Sequence, residues 1–152
     1  MKNILFVCTG NSCRSVMAEG LFKKMVAQRA NEFTVSSAGI SAMDGFGPSP
    51  ETIEVMEAEG VDVAAHRSQR LRSEMVRLAD KIFVMEKMHK DWILRFAPEA
   101  KSKIFLLTEF HASDYSEAGD ADIPDPIRMS DSFYRNVLAV IRDCVTKIVE
   151  SI

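Results

Sequence analysis

The amino-acid sequence predicts a single α/β domain built on a parallel sheet, and three observations carry that expectation. Short strand-like runs at residues 4–7, 33–37, 81–86 and 103–107 alternate with amphipathic helical patterns of about ten to fifteen residues, as parallel strands joined by helical crossovers require. The first run, Ile4-Leu5-Phe6-Val7, leads directly into Cys8-Thr9-Gly10-Asn11-Ser12-Cys13-Arg14-Ser15 and then into a helical pattern, giving buried strand, loop and helix in succession. At 152 residues the chain can bury one core and needs no second domain, so residues 1–152 are read as one unit.

Composition narrows the function classes. Hydrophobic content of 47%, charged content of 27% and a net charge of -3 are those of an ordinary soluble globular chain and argue against nucleic-acid or membrane affinity. The first apolar run is too short for a signal-peptide core, and no stretch reaches transmembrane length. Three cysteines, an odd number, make no disulfide framework, so the expected setting is the reducing cytoplasm.

The elements follow in order. After the loop, Met17, Ala18, Leu21, Phe22, Met25 and Val26 share one helical face while Lys23, Lys24, Gln28 and Arg29 share the other. Residues 33–37 (FTVSS) read as a strand, and Ala38-Gly39 open a turn-rich loop over 41–48, a length of irregular chain that often walls an active site. Ser49 as N-cap and Pro50 at the first helical position start a helix through Ile53, Val55 and Met56 that stops at Gly60. Beyond it, His66, Arg67, Arg70 and Arg72 form a basic cluster that reads as a solvated face.

A short helix over 73–80, with Met75, Val76 and Leu78 apolar, precedes the strand KIFVME at 81–86. Met88, Trp92, Ile93 and Phe96 mark the next helix, which Pro98 ends, and KIFLL at 103–107 is the last strand. The acidic stretch 114–131 holds Asp114, Glu117, Asp120, Asp122, Asp125 and Asp131; its spacing loosely resembles a calcium loop, which Ala118 and Pro124 spoil. A final helix from Asp131 or Ser132 buries Phe133, Val137, Ile141, Cys144 and Ile148, making Cys144 a core thiol.

The chemistry is expected at residues 8–15, because ligands in parallel sheets gather at the carboxyl ends of strands. A turn through Gly10 aims the loop N–H groups and the helix N-terminus at one spot suited to an oxyanion. Cys8 and Arg14 form C-x5-R. A thiol at the rim of such a nest is favoured as the nucleophilic thiolate. The arginine fork can hold two phosphate oxygens and neutralise the charge that spreads over them in a transition state.

Phosphoryl transfer to a thiolate expels a leaving group that must be protonated as it departs. The candidate acids are His66, His89, His111 and the acidic stretch. Within that stretch Asp125 is the expected acid, since Pro124 and Pro126 fix its backbone in extended form.

VCTGNSCRS, followed late in the chain by Asp125-Pro126-Ile127, resembles the low-molecular-weight protein tyrosine phosphatase family, and VSSAG at 35–39, His66, KIFVME and IPDP fall in family order across nearly the whole chain. The resemblance implies a central four-stranded parallel sheet with helices on both faces, a phosphate-binding loop after the first strand, a cytoplasmic setting, and neither metal nor cofactor. Cys8 would form a cysteinyl-phosphate, Arg14 would clamp the phosphate, and Asp125 would protonate the leaving group and then activate water. Thr9, Gly10, Asn11, Ser12, Cys13, Arg14 and Ser15 would cradle the phosphate. By the same resemblance Asn11 and Ser37 hold the loop in shape, Ser15 stabilises the thiolate and His66 joins that network. Cys13 matches a second loop cysteine able to form a reversible disulfide with Cys8. The implied partners are phosphorylated proteins, with no nucleic acid and no membrane, and the chain acts as a monomer or weak dimer.

Two departures bear on substrate. Val16 stands where the family usually has proline, and Ile127 where it usually has an aromatic residue lining the slot for a phosphotyrosine ring. Met43 or Phe46 is then the candidate wall. Ser12 is small and polar, where tyrosine-directed members usually carry an apolar residue and bacterial protein arginine phosphatases a threonine. A hydroxyl there can accept from a guanidinium, which makes phosphoarginine the alternative substrate. CTGNSCRS also resembles thioredoxin-coupled arsenate reductases, but these need two further cysteines near KIFVMEKMHK, and no cysteine lies between Cys13 and Cys144. The non-enzymatic alternative is an anion sensor with a Cys8–Cys13 redox switch, which would have no use for a leaving-group acid such as Asp125.

Overall fold

A computed structural model describes residues 1–110 and 122–152. The expectations for His111 and for Asp114, Glu117, Ala118 and Asp120 lie outside the described residues. Strands β1 (Lys2–Cys8), β2 (Phe33–Gly39), β3 (Lys81–Val84) and β4 (Ile104–Leu106) form one all-parallel sheet in the order β2-β1-β3-β4. The first strand is therefore internal. The chain steps from it to one side and then to the other, which puts a topological switch point beside its carboxyl end, where Cys8 lies.

Alternation along the strands divides the core in two. Ile4, Phe6, Cys8 and Phe83 face α1 (Arg14–Met25), α2 (Pro50–Ala58) and α5 (Asp131–Ser151). Leu5, Val7, Ile82 and Val84 face α3 (Ser73–Leu78) and α4 (Lys87–Phe96). Helices thus cover both faces, and the strands read as nearly continuous apolar runs because neither face meets water.

Local chemistry sets the helix ends. The Ser49 hydroxyl accepts from the Thr52 N–H with Pro50 at the first helical position, and Gly60, just past the last turn of α2, takes a φ of 76°. The Ser130 hydroxyl accepts from the Phe133 N–H and starts α5, which buries Tyr134, Val137, Leu138, Ile141, Cys144, Val145 and Ile148. Burial pushes the Cys144 thiol up to about 12, so it stays an inert core thiol.

Three details depart from expectation. The buried residues of α4 are His89 and Ile93, while Met88 and Phe96 are exposed and Trp92 is half-buried; Met88 is one residue off the inward face, and Phe96 closes the last turn, where it stacks edge-on against Trp92. In α3 only Val76 is buried and Leu78 faces solvent. Single-turn 3-10 segments at Ala27–Glu32, Pro98–Lys103 and Leu107–Phe110 have no apolar period to announce them.

Candidate active site

The loop from Thr9 to Cys13 joins β1 to α1. The extension of β2 holds it from one side: Cys8 is in register with Gly39, the Ile40 N–H donates to the Cys8 carbonyl at 3.0 Å, and the Ser41 N–H donates to the Thr9 carbonyl at 2.9 Å. The left-handed residue of the loop is Asn11, with φ of 53°, rather than Gly10. Asparagine tolerates that region, and here its buried carboxamide is bonded on both ends.

Asn11 Nδ2 donates to Ser15 Oγ at 2.7 Å and to Ser37 Oγ at 2.9 Å, while its Oδ1 accepts from the Gln69 N–H at 3.0 Å and faces His66 Nε2 at 3.2 Å. The Ser37 hydroxyl donates to Glu19 Oε1 at 2.5 Å. Cys8 Sγ lies 2.9 Å from Ser15 Oγ and receives the Asn11 N–H at 3.3 Å. Because Ser15 Oγ accepts from Asn11, its hydroxyl proton is free to point at sulfur. Two donors therefore converge on Cys8, the arrangement that stabilises an anionic sulfur.

Arg14 is 1% exposed although it is the first residue of α1. Nη1 donates to Glu86 Oε2 and to the Ile123 carbonyl, both at 2.7 Å, and Nη2 reaches Thr9 Oγ1 at 3.4 Å. Nη2 also stands 3.7 Å from Asp125 Oδ2. With both Nη1 protons used, the Nε and Nη2 edge is the one left to grip two oxygens of an anion. Asp125 is partly exposed between Pro124 and Pro126, and its Oδ1 accepts from the Ile127 N–H at 3.1 Å. Arg14 and Asp125 thus approach each other beside the loop that follows Cys8, and Asn11 ties that loop to Ser15, Ser37 and His66.

The family model described as "Low molecular weight phosphotyrosine protein phosphatase" matches residues 3–152. The chain belongs to this family. It is 36% identical over 144 residues to the low molecular weight protein-tyrosine-phosphatase Ptp of Acinetobacter johnsonii, covering 95% of this chain and 93% of that one. It is 35% identical over 149 residues to the protein-arginine-phosphatase of Geobacillus stearothermophilus, covering 98% and 95%. The crystal structure of a low molecular weight protein tyrosine phosphatase from T. tengcongensis superposes with a TM-score of 0.89 at 34% identity, over 100% of both chains.

The expected wall residues Met43, Phe46 and Ile127 are 70%, 58% and 47% exposed. Gly10, Ser12, Ala42, Met43, Phe46 and Ser68 line a shallow hollow of about 210 Å³ beside the loop. The hollow is firmly built: Ser68 Oγ donates to the Met43 carbonyl and accepts from the Phe46 N–H, and the Asp44 carboxylate accepts from the Arg70 N–H and pairs with Arg72. The Arg70 amide, and with it the Arg72 side chain, holds the Asp44 carboxyl below its usual range. Of the basic cluster, Arg67, Arg70 and Arg72 are exposed as expected, but Arg70 and Arg72 also brace the 41–48 loop, and His66, against expectation, is largely withdrawn from solvent because it turns inward to Asn11. Ser12 Oγ lies 3.6 Å from Cys13 Sγ, half-buried at the hollow's edge.

Cys8 and Cys13 are both free thiols. Cys13 Sγ lies 3.5 Å from both Ser49 Oγ and Tyr134 Oη, and burial raises the Tyr134 phenol, which remains protonated and able to donate. Sequence reasoning passed over Glu86, Glu19, Tyr134 and the contact between Thr9 and His89. Glu86 alone carried a usable signal: a carboxylate closing an apolar strand at the end of the sheet where ligands gather.

Proposed function

We propose that this chain is a protein phosphatase that hydrolyses phosphotyrosine by a two-step, metal-independent route, acting on phosphorylated proteins in the cytoplasm as a monomer or weak dimer. One observation carries the reading: Cys8 Sγ lies under the Ser15 hydroxyl and the Asn11 N–H, and Arg14, at the end of the same loop, stands with Nη2 3.7 Å from Asp125. Nucleophile, clamp and acid have one shared target.

In the first step Cys8 Sγ attacks phosphorus, an S–P bond forms, the P–O bond to the tyrosine breaks, and the Asp125 proton goes to the departing oxygen. Arg14 and the loop N–H groups hold the equatorial oxygens as charge spreads over them. In the second step Asp125, now a carboxylate, takes a proton from water as that water attacks phosphorus; the S–P bond breaks and inorganic phosphate leaves. Ser15 and Asn11 stabilise the sulfur anion at both ends of the sequence.

The second reading, a protein arginine phosphatase, is favoured by Ser12 at the hollow's edge and by the lack of an aromatic ring at position 127. There the bond broken is P–N and the Asp125 proton goes to nitrogen. Phosphate release from phosphotyrosine and phosphoarginine peptides, run side by side with chelator and with Cys8→Ser as the blank, tests both. Release from phosphotyrosine is the expected result, and the exposed Met43, Phe46 and Ile127 then serve as its apolar walls. Release from phosphoarginine alone transfers the assignment to the second reading and makes Ser12 the specificity residue. Release from neither overturns both.

A further inference from the structure

We propose that His89 is a positioning residue for Arg14, acting through Thr9 on the family's phosphate clamp; the inference rests on the function proposed above. His89 is fully buried in the first turn of α4, beneath the phosphate loop and across the sheet end from α1. Its Nδ1 accepts the Glu86 backbone N–H at 3.0 Å. That bond requires Nδ1 to be without a proton, so the neutral ring carries its hydrogen on Nε2, which faces Thr9 Oγ1 at 2.9 Å and donates to it.

The same Thr9 oxygen is the acceptor nearest Arg14 Nη2, at 3.4 Å. A hydroxyl has two acceptor sites and one proton. With His89 on one site and Arg14 on the other, the Thr9 rotor is fixed and its own O–H is turned away from both. Glu86 ties the arrangement together: its backbone amide sets the histidine tautomer, while its side chain holds Nη1 of the same guanidinium at 2.7 Å.

The ring stays neutral for two further reasons. Burial, and after it the Arg14 charge, lower His89 to about 4; the Asp122 carboxylate opposes them. A charged ring would have to place a second proton on Nδ1, against the Glu86 amide. Glu86 Oε2, 3.5 Å from Nε2, is already engaged by Arg14.

Two substitutions separate the role from packing. A glutamine side-chain N–H reaches the place of Nε2 and keeps the donor to Thr9; an asparagine carbonyl reaches only the place of Nδ1 and loses that donor. Leaving Thr9 and Arg14 unfixed costs on the order of tenfold. For His89→Asn we expect kcat/KM on p-nitrophenyl phosphate and calorimetric affinity for inorganic phosphate both to fall about tenfold, and for His89→Gln both to stay within about threefold of the parent. Equal behaviour of the two variants, at matched folded fractions, overturns the proposal. A measurement without any variant runs beside them: the nitrogen-15 spectrum of the parent at pH 7 should show His89 protonated on Nε2 only, and a proton on Nδ1 overturns the proposal. If the parent hydrolyses no phosphoester, the proposed function fails, while the spectrum and the phosphate titration still decide the part played by His89.

Discussion

Serine at position 8 keeps the shape of the loop but replaces the sulfur by a much weaker nucleophile. Cys8→Ser is therefore expected to lower kcat at least about a thousandfold while the protein still folds, read as p-nitrophenol release at equal circular dichroism. Retention of a tenth of the activity would reassign the nucleophile. Asp125 is tested by leaving group. With a good leaving group no proton is needed, so Asp125→Asn should change turnover of a dinitrophenyl phosphate little. It should lower turnover of phosphotyrosine by about 10²- to 10⁴-fold. Equal loss on both substrates would mean that Asp125 acts by steadying Arg14, 3.7 Å away, rather than by giving a proton. These proposed roles could be assigned from sequence because C-x5-R is local and Asp125 sits between two prolines. The contacts of Glu86 and His89 with Arg14 and Thr9 were not legible there, since they span 72 and 80 positions of sequence and exist only once β3 pairs with β1.

At the scale of elements, the end of β2 packs closely against the phosphate loop. A Cβ on Gly39 would stand 2.5 Å from the Thr9 carbonyl and 2.9 Å from the Asn11 nitrogen, both backbone atoms of the phosphate loop. Neither can yield without moving Cys8. Gly39→Ala should therefore lower stability by about 2 kcal/mol or more and activity with it, measured by urea unfolding and by turnover of the folded fraction. Helix caps give a milder comparison. Ser130→Ala removes one bond to the Phe133 N–H and should cost about 1 kcal/mol. Ser49→Ala removes the α2 cap and also an oxygen close to Tyr134 and Cys13, so it should cost more, about 2 kcal/mol. Equal costs in denaturant unfolding would reduce Ser49 to a cap alone. Strands and caps were readable because they depend on local chemistry: Ser49-Pro50 and Gly60 bracket α2 in both sequence and structure. The inward face of α4 was not, because the apolar count pointed to Met88 and Phe96 while the fold turned a histidine inward to meet a loop residue from the other end of the chain.

For the molecule as a whole, the same buried histidine links the site to global stability. His89 titrates at an ordinary 6.5 in the unfolded chain and at about 4 when folded, because burial and then Arg14 disfavour its charged form. Between those two values the unfolded state binds more protons than the folded one, so this group's contribution makes stability rise with pH across the window from about 4 to 6.5 and flattens above it. On acidification from pH 7 to 4 the contribution lost is about 3 kcal/mol, a large share of the 5 to 15 kcal/mol that typically holds a domain together. Carboxylates titrate in the same range, so the histidine part is read as a difference. Urea unfolding of the parent and of His89→Gln, at several pH values from 4 to 7, should give stability curves whose difference shifts against the parent by about 3 kcal/mol as the pH falls, because the glutamine carries no titrating group. Parallel curves would mean that the ring takes up its proton in the folded protein without loss, and the bond from the Glu86 amide to Nδ1 would then have to open at no cost.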